Sequence, residues 1–204
     1  LAYPLAWICA YQLRPRLARL VLFLLAVPFL VNYIIRTFAW AGLLARNGAV
    51  NRLLQGAGLV EQPLDWLLFS DFAVYLGMLA AYMPFMVYPI WLSLSTIDRR
   101  LMEASWTLGE GPLATFLRVV WPLSLPGVAA ALIFGFVSAF GEVAVPVILG
   151  GVGYQLLGNT ITSSLDVLNY PLAAAMSTVA VLGMAGLLVL WLRLFDLRLF
   201  LGRV

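Results

Sequence analysis

The sequence predicts an all-α membrane protein, a polytopic bundle of transmembrane helices. Three observations carry this prediction: an excess of apolar residues, five long apolar segments, and an uneven distribution of arginine between the segments that connect them. Hydrophobic residues make up 64% and charged residues 10% of the 204 positions, whereas soluble domains average roughly 45–50% and about 25%. One soluble core of this size cannot bury so many apolar side chains, so the surrounding solvent is a bilayer.

The five apolar segments are interpreted as helices in chain order: 1–13, about 17–44, about 72–97, about 119–149 and about 171–195. Backbone polar groups in lipid need internal partners, and no segment shows the alternating pattern of a barrel strand. Prolines at positions 28, 84, 89 and 146 predict kinks. A short helix is expected at 51–56, ended by glycine. The first segment is shorter than the roughly 20 residues that a span requires, so we expect an N-terminally truncated sequence.

Arginine supplies every basic residue, and its placement predicts the orientation. The side with nine arginines holds Arg14, Arg16, Arg19, Arg99, Arg100, Arg118, Arg193, Arg198 and Arg203, and the other side holds Arg36, Arg46 and Arg52. The positive-inside rule places the richer side in the cytoplasm. The segment between the third and fourth apolar runs and the C-terminus are therefore expected to be cytoplasmic.

The charged segment that follows the third apolar run predicts two helices joined by a glycine. Asp98 is suited to cap a helix over 99–108, and Gly109 is suited to end it in a left-handed conformation. Pro112 fits the first position of a second helix. One face of the first helix carries Leu101, Ala104, Ser105 and Leu108 at helical spacing. Such a helix either lies on lipid headgroups or docks into a groove of another protein.

The spacing of this segment resembles the cytoplasmic loop of permease subunits in binding-protein-dependent ABC importers. That loop has Glu-Ala-Ala, three residues, Gly, nine residues, Ile, one residue and Leu-Pro. This sequence has Glu103-Ala104-Ser105, Gly109, Val119 and Trp121-Pro122 at the same spacing. The stretches 32–51 and 140–159 are similar to the spermidine/putrescine branch of these permeases. The resemblance implies the MetI-like fold of type I ABC importer permeases, as one transmembrane domain over 1–204 with a coupling segment at 98–118.

The resemblance also implies roles and partners. The residues expected to couple to an ATPase are Asp98, Arg99, Arg100, Leu101, Glu103, Ala104, Ser105, Leu108 and Gly109. Glu103 would make a polar contact, Gly109 would be the hinge, and Ala104, Ser105 and Leu108 would pack in the ATPase groove. The sequence has no lysine and hence no P-loop, so ATP and Mg²⁺ are expected on a separate ABC ATPase, with no cofactor, metal or enzymatic activity in this chain. A second permease, an extracytoplasmic solute-binding protein and the bacterial inner membrane complete the expected partners, and nucleic acid is not among them.

Glu142 is the most unusual residue within an apolar run. A carboxylate at that depth is expected to face a cavity or a partner rather than lipid, and Gly141 and Pro146 around it predict a broken helix. Two interpretations stay open: an ion pair with Arg36, or a place on the path of a cationic substrate. Asn32, Tyr33 and Tyr82 are weaker candidates for the same path.

The cargo of such a machine is expected to be a polyamine, with iron(III), thiosulfate or another small solute as the alternatives within the class. An ion-driven secondary transporter is a more distant alternative, because the sequence shows one intramembrane acid and no inverted repeat. A membrane scaffold without transport activity would leave the cytoplasmic helix pair without a purpose.

Overall fold

The computed structural model describes residues 1–194, and within these residues the chain forms eleven α-helices and no strand. The end of the fifth apolar segment, with Arg198 and Arg203, lies outside the described residues. The helices are α1 (Ala2–Trp7), α2 (Pro15–Ala26), α3 (Tyr33–Leu44), α4 (Ala49–Gly56), α5 (Asp71–Ser95), α6 (Arg99–Thr107), α7 (Pro112–Thr115), α8 (Trp121–Phe140), α9 (Ala144–Leu149), α10 (Leu157–Asp166) and α11 (Tyr170–Leu194).

Three described helices are long and apolar enough to cross a membrane. They are α5, the continuous helix Pro112–Phe140 that ends with α8, and the Tyr170–Trp191 part of α11. A fourth crossing is reached if the pair Pro15–Leu30 and Tyr33–Gly56 counts as one span, although the two halves meet at 102°. In α11 only 6% of the apolar window is buried, so nearly all of its surface is available to lipid or to another subunit.

Two predicted spans are shorter in the structure than the apolar runs. The run 17–44 is not one straight helix, because α2 ends at Ala26 and α3 begins at Tyr33. Pro28 has no N–H to continue the helix, and the side chain of Asn32 caps α3 by accepting from the amide of Ile34 at 2.9 Å. The run 119–149 breaks after Phe140, which confirms the predicted broken helix and corrects its length.

Within the described residues, one compact unit is formed by Leu1–Ala26, Met83–Val137 and the chain from Met184 to Leu194. Its core contains Val87, Ile90 and Leu94 of α5, packed with Val120 and Cys9. The hydroxyl of Tyr88 donates to the carbonyl of Leu22 at 2.6 Å, and that of Tyr11 donates to the carbonyl of Leu94 at 2.8 Å. These bonds tie the first helices to the C-terminal half of α5.

A second compact unit is formed by Val27–Tyr82 and Ser138–Gly183. Its core is apolar and consists of Leu44, Leu67, Ala73, Val74, Val145 and Leu149. The predicted helix at 51–56 is present as α4. Its Asn51 is fully buried and holds the connecting segment together, with side-chain bonds to the carbonyls of Ala45 and Leu64 and to the amide of Leu64. The polar stretch before residue 165, which carried no prediction of structure, forms α10.

Candidate coupling segment and transport path

The start of α6 is built as the sequence predicts. Asp98 is the N-cap, and its carboxylate accepts a hydrogen bond from the amide of Arg100 at 3.0 Å. The helix runs to Thr107, one residue short of the predicted end. A carboxylate at this position satisfies one of the amides that a helix start leaves without an intrahelical partner.

The end of α6 is a glycine turn with two closing hydrogen bonds. Gly109 has φ of +84°, a left-handed conformation that glycine adopts without steric cost. Its amide donates to the carbonyl of Trp106 at 2.9 Å, and the amide of Glu110 donates to the carbonyl of Ser105 at 3.2 Å. This pair of bonds is a Schellman motif. Pro112 then opens α7 at its first position, as predicted.

Two polar contacts bridge the turn. The hydroxyls of Ser105 and Thr115 lie 2.9 Å apart and are buried. Beyond the turn, the guanidinium of Arg118 pairs with the carboxylate of Glu110. The buried pair fixes the angle between α6 and α7, since an unpaired hydroxyl there would be costly. The helix–glycine–helix segment is therefore a braced unit rather than a loose loop.

The outward face of α6 is more apolar than a solvated cytoplasmic helix requires. Leu101, Ala104 and Leu108 lie exposed at helical spacing on one face, Leu108 by 84%. Arg99, Arg100 and Glu103 are exposed around them. Ser105 is turned inward against Thr115, so the prediction that Ser105 belongs to the docking face is wrong. Trp106 is also exposed, but it lies on a different side of α6, about 200° around the helix from Ala104.

Glu142 caps the second half of the broken helix. One carboxylate oxygen, Oε1, accepts from the amide of Val145 at 3.0 Å, and Oε2 accepts from the hydroxyl of Tyr82 on α5. The side chain is 5% exposed. The structure therefore brings Glu142 and Tyr82 together, two of the residues that the sequence suggested for a transport path.

Arg36 does not pair with Glu142. Its guanidinium donates to the carbonyl of Pro28 at 3.0 Å and lies over the rings of Phe29 and Tyr33, 4.5 and 5.4 Å from their centroids. The two ion pairs found among the described residues join other side chains. The predicted Arg36–Glu142 pair is wrong, because the nearby bend offers the guanidinium a carbonyl and two aromatic faces.

The hydroxyl of Tyr33 is buried and interacts with Glu142 and Tyr82, but it meets the distance and angle of a hydrogen bond with neither group. The other candidate, Asn32, uses its side-chain oxygen to cap α3 and is exposed. Buried polar groups without a partner are rare in native structures. The carboxylate and the two phenols thus form an oxygen cluster with one unused hydroxyl.

The connecting segments of the same unit carry polar contacts that the sequence did not indicate. The hydroxyl of Tyr154 donates to the carboxylate of Asp71 at 2.8 Å, and this hydrogen bond raises the pKa of Tyr154 to about 12. Asn159 bonds the carbonyl of Tyr154 and the amide of Leu156. These contacts give a defined structure to the chain between α9 and α10.

Comparison with known proteins identifies related sequences. The profile of a family described as "Binding-protein-dependent transport system inner membrane component" matches residues 2–200. The spermidine/putrescine transport system permease protein PotB of Escherichia coli (strain K12) is 35% identical over 193 residues, which are 94% of this chain and 70% of the relative. The inner membrane ABC transporter permease protein YdcU of the same strain is 33% identical over 195 residues (89% and 61%). The molybdenum transport system permease protein ModB of Azotobacter vinelandii is 30% identical over 148 residues (72% and 63%).

Proposed function

Since this chain belongs to the family of inner membrane components of binding-protein-dependent transport systems, we propose that it is the permease subunit of an ATP-driven polyamine importer. It is a multi-pass transport protein of the inner membrane. The observation that carries the proposal is the braced helix pair with its exposed apolar face, in a family whose members work with other subunits. The cargo class rests on the similarity to a spermidine/putrescine permease.

The energy source is proposed to lie on a separate ABC ATPase that binds ATP and Mg²⁺. The chain has no lysine and no P-loop sequence, whereas α6 presents an apolar face with charges around it. That face would seat in a groove of the ATPase, with Leu101, Ala104 and Leu108 packed and Glu103 in polar contact. Gly109 and the Ser105–Thr115 bond would transmit the movement of α6 to the helix that follows.

The proposed orientation places α6 and the C-terminus in the cytoplasm, because the arginine-rich connections lie on that side. A solute-binding protein would deliver cargo on the opposite side of the membrane. A second permease, identical or homologous, would complete the translocation path. The very low burial of α11 supports a contact of that helix with lipid or with such a partner.

A cationic cargo is supported by the buried carboxylate. Glu142, with Tyr33, Tyr82, Arg36 and Asn32 in the same unit, is proposed to belong to the path. A carboxylate without a cationic partner attracts ammonium groups and repels anions. A second candidate cargo is an oxyanion, because the molybdenum permease ModB is also related. The Glu142 charge argues against it.

Transport by the complete system tests the proposal. The full-length permease is reconstituted into liposomes with the ATPase, permease and binding protein encoded beside it, and the uptake of radiolabelled putrescine and of molybdate is measured. We expect putrescine uptake that requires ATP and the ATPase subunit. Glu103→Lys or Gly109→Pro should abolish this uptake while the variant still inserts into the membrane. Uptake without the ATPase would contradict the proposal. Uptake of molybdate without uptake of putrescine would show that the cargo is an oxyanion and not a polyamine.

A further inference from the structure

The second compact unit contains a buried carboxylate that lacks a positive partner. Glu142 is almost fully buried, and its two oxygens accept from one backbone amide and one phenol. The described ion pairs, Arg46–Asp65 and Arg118–Glu110, do not involve it. A buried charge is normally balanced by a cation. Here the amide of α9 and the hydroxyl of Tyr82 stabilise it, and both are neutral donors.

The neighbouring hydroxyls complete a set of three oxygens. Tyr82 donates to Oε2 of Glu142, and the hydroxyl of Tyr33 is buried beside both groups and meets the distance and angle of a hydrogen bond with neither. A primary ammonium group carries three N–H donors and no acceptor. With Oε1 held by the Val145 amide, Oε2 of Glu142 and the Tyr33 hydroxyl can accept from two of the three donors of one amine terminus of a linear polyamine.

We propose that Glu142 and Tyr82 form a cargo-operated latch, which opens when an ammonium group of the cargo replaces the Tyr82 hydroxyl as the donor to Oε2. Tyr33 then supplies a second oxygen to the same ammonium group. The proposal rests on the function proposed above. An ammonium group adds a direct Coulomb attraction to the carboxylate that a neutral phenol lacks, so the ammonium displaces the phenol. The structure shows the latch closed, with the carboxylate covered.

The latch joins three helices of the unit. Tyr82 lies on α5, and the Glu142 carboxylate caps α9 through Val145. The backbone of Glu142 also touches α10, since a Cβ added to Gly158 would lie 2.6 Å from the Glu142 carbonyl oxygen. Breaking the Tyr82 bond removes the polar tie between α5 and the broken helix, while the α9 cap and the apolar core shared by α5 and α9 stay in place. Cargo binding therefore acts at the Tyr82–Glu142 contact, where the packing of α5 against the start of α9 can change.

Arg36 acts as a positioning residue for this cluster. Its guanidinium is held by the carbonyl of Pro28 and the ring of Phe29, and it also lies over the ring of Tyr33. This contact keeps the Tyr33 ring in place and engages the arginine charge away from Glu142. The carboxylate thus remains available to an external cation.

Three tyrosine-to-phenylalanine variants of the full-length permease test the latch in the reconstituted transporter. Tyr75 is the matched control, because it lies on α5 with Tyr82 and is exposed. Tyr33→Phe removes a ligand, so KM for putrescine should rise about three- to tenfold with kcat nearly unchanged. Tyr82→Phe removes the competing donor, so KM should fall and ATP hydrolysis without cargo should rise about threefold or more. Tyr75→Phe should match the wild type.

The outcomes separate the latch from the function on which it rests. Wild-type uptake of putrescine, with Tyr33→Phe and Tyr82→Phe both equal to Tyr75→Phe in KM and in cargo-free hydrolysis, overturns the latch alone. Absence of putrescine uptake by the wild type overturns the proposed function as well. Glu142→Gln, where it inserts normally, should raise KM more than about tenfold, and an unchanged KM in that variant also overturns the latch.

Discussion

The same substitution at two nearby glycines isolates the role of backbone conformation in the coupling segment. Gly109 has φ of +84°, and Gly111 has φ of −77° in the extended conformation of a helix N-cap. A Cβ at either position would meet nothing within 4 Å. Gly109→Ser and Gly111→Ser therefore differ in backbone strain and not in steric space. Serine is among the preferred residues at an N-cap, so the second variant should not weaken the segment.

The expected cost of Gly109→Ser follows from the left-handed conformation. A residue with a side chain pays about 1–2 kcal/mol there, which is a factor of about 5 to 30 in the equilibrium for opening the turn. The amides of Gly109 and Glu110 make the bonds that close it. Hydrogen–deuterium exchange of the full-length permease in nanodiscs, corrected for intrinsic rates, should show these amides exchanging faster by that factor. Cargo-stimulated ATP hydrolysis by the complete transporter should fall in parallel.

Equal behaviour of the two variants would refute the reasoning. If the amides of the turn exchange as slowly in Gly109→Ser as in Gly111→Ser, and if coupling is fully retained, the left-handed turn contributes nothing to the coupling segment. If Gly111→Ser is the more damaging variant, the second helix start and not the glycine turn controls the segment.

Three further changes test other contacts by thermal unfolding in detergent and by uptake. Ser105→Ala leaves the buried Thr115 hydroxyl without its partner, so it should lower the free energy of unfolding by about 1–3 kcal/mol. An unchanged melting temperature would contradict a stabilising role of the Ser105–Thr115 contact. Asn51→Leu removes three bonds to backbone groups, so it should cost about 3 kcal/mol or more and reduce the amount of folded permease; normal yield would contradict that role. Tyr154→Phe removes a bond to Asp71 that is exposed, so its cost should stay below about 1 kcal/mol; a larger loss would show that the connection depends on this bond.

The coupling segment is the part of the molecule that the sequence predicts best. Asp98, Gly109 and Pro112 each act on the backbone within a few residues of their own position, and all three occur where capping rules place them. The orientation of Ser105 was not predictable in the same way. Its burial depends on Thr115, ten residues away and beyond the turn, so helical periodicity alone assigned it to the wrong face.

The outer residues show where prediction from the sequence ends. The position of Glu142 in an apolar run, between Gly141 and Pro146, indicated a broken helix. Its donor, Tyr82, lies 60 positions earlier in the chain, and no local pattern identifies that contact. The bend between α2 and α3 has the same character. Pro28 predicts a kink, but the contacts of Arg36 with the carbonyl of Pro28 and the ring of Phe29 form only in the folded unit.

The central claim is that a separate ATPase binds α6 and moves it to drive transport. Cross-linking of α6 to the ATPase tests this claim most directly. A single cysteine is placed at Ala104, in a full-length permease whose buried Cys9 is replaced by alanine, and the assembled transporter is treated with a short reagent that joins a thiol to an amine of the ATPase. A cysteine at Val167, exposed between α10 and α11, is the control. We predict a permease–ATPase product from position 104 whose yield changes when ATP is bound, and none from position 167. Absence of the product from position 104 in a transporter that hydrolyses ATP and takes up cargo would contradict the claim.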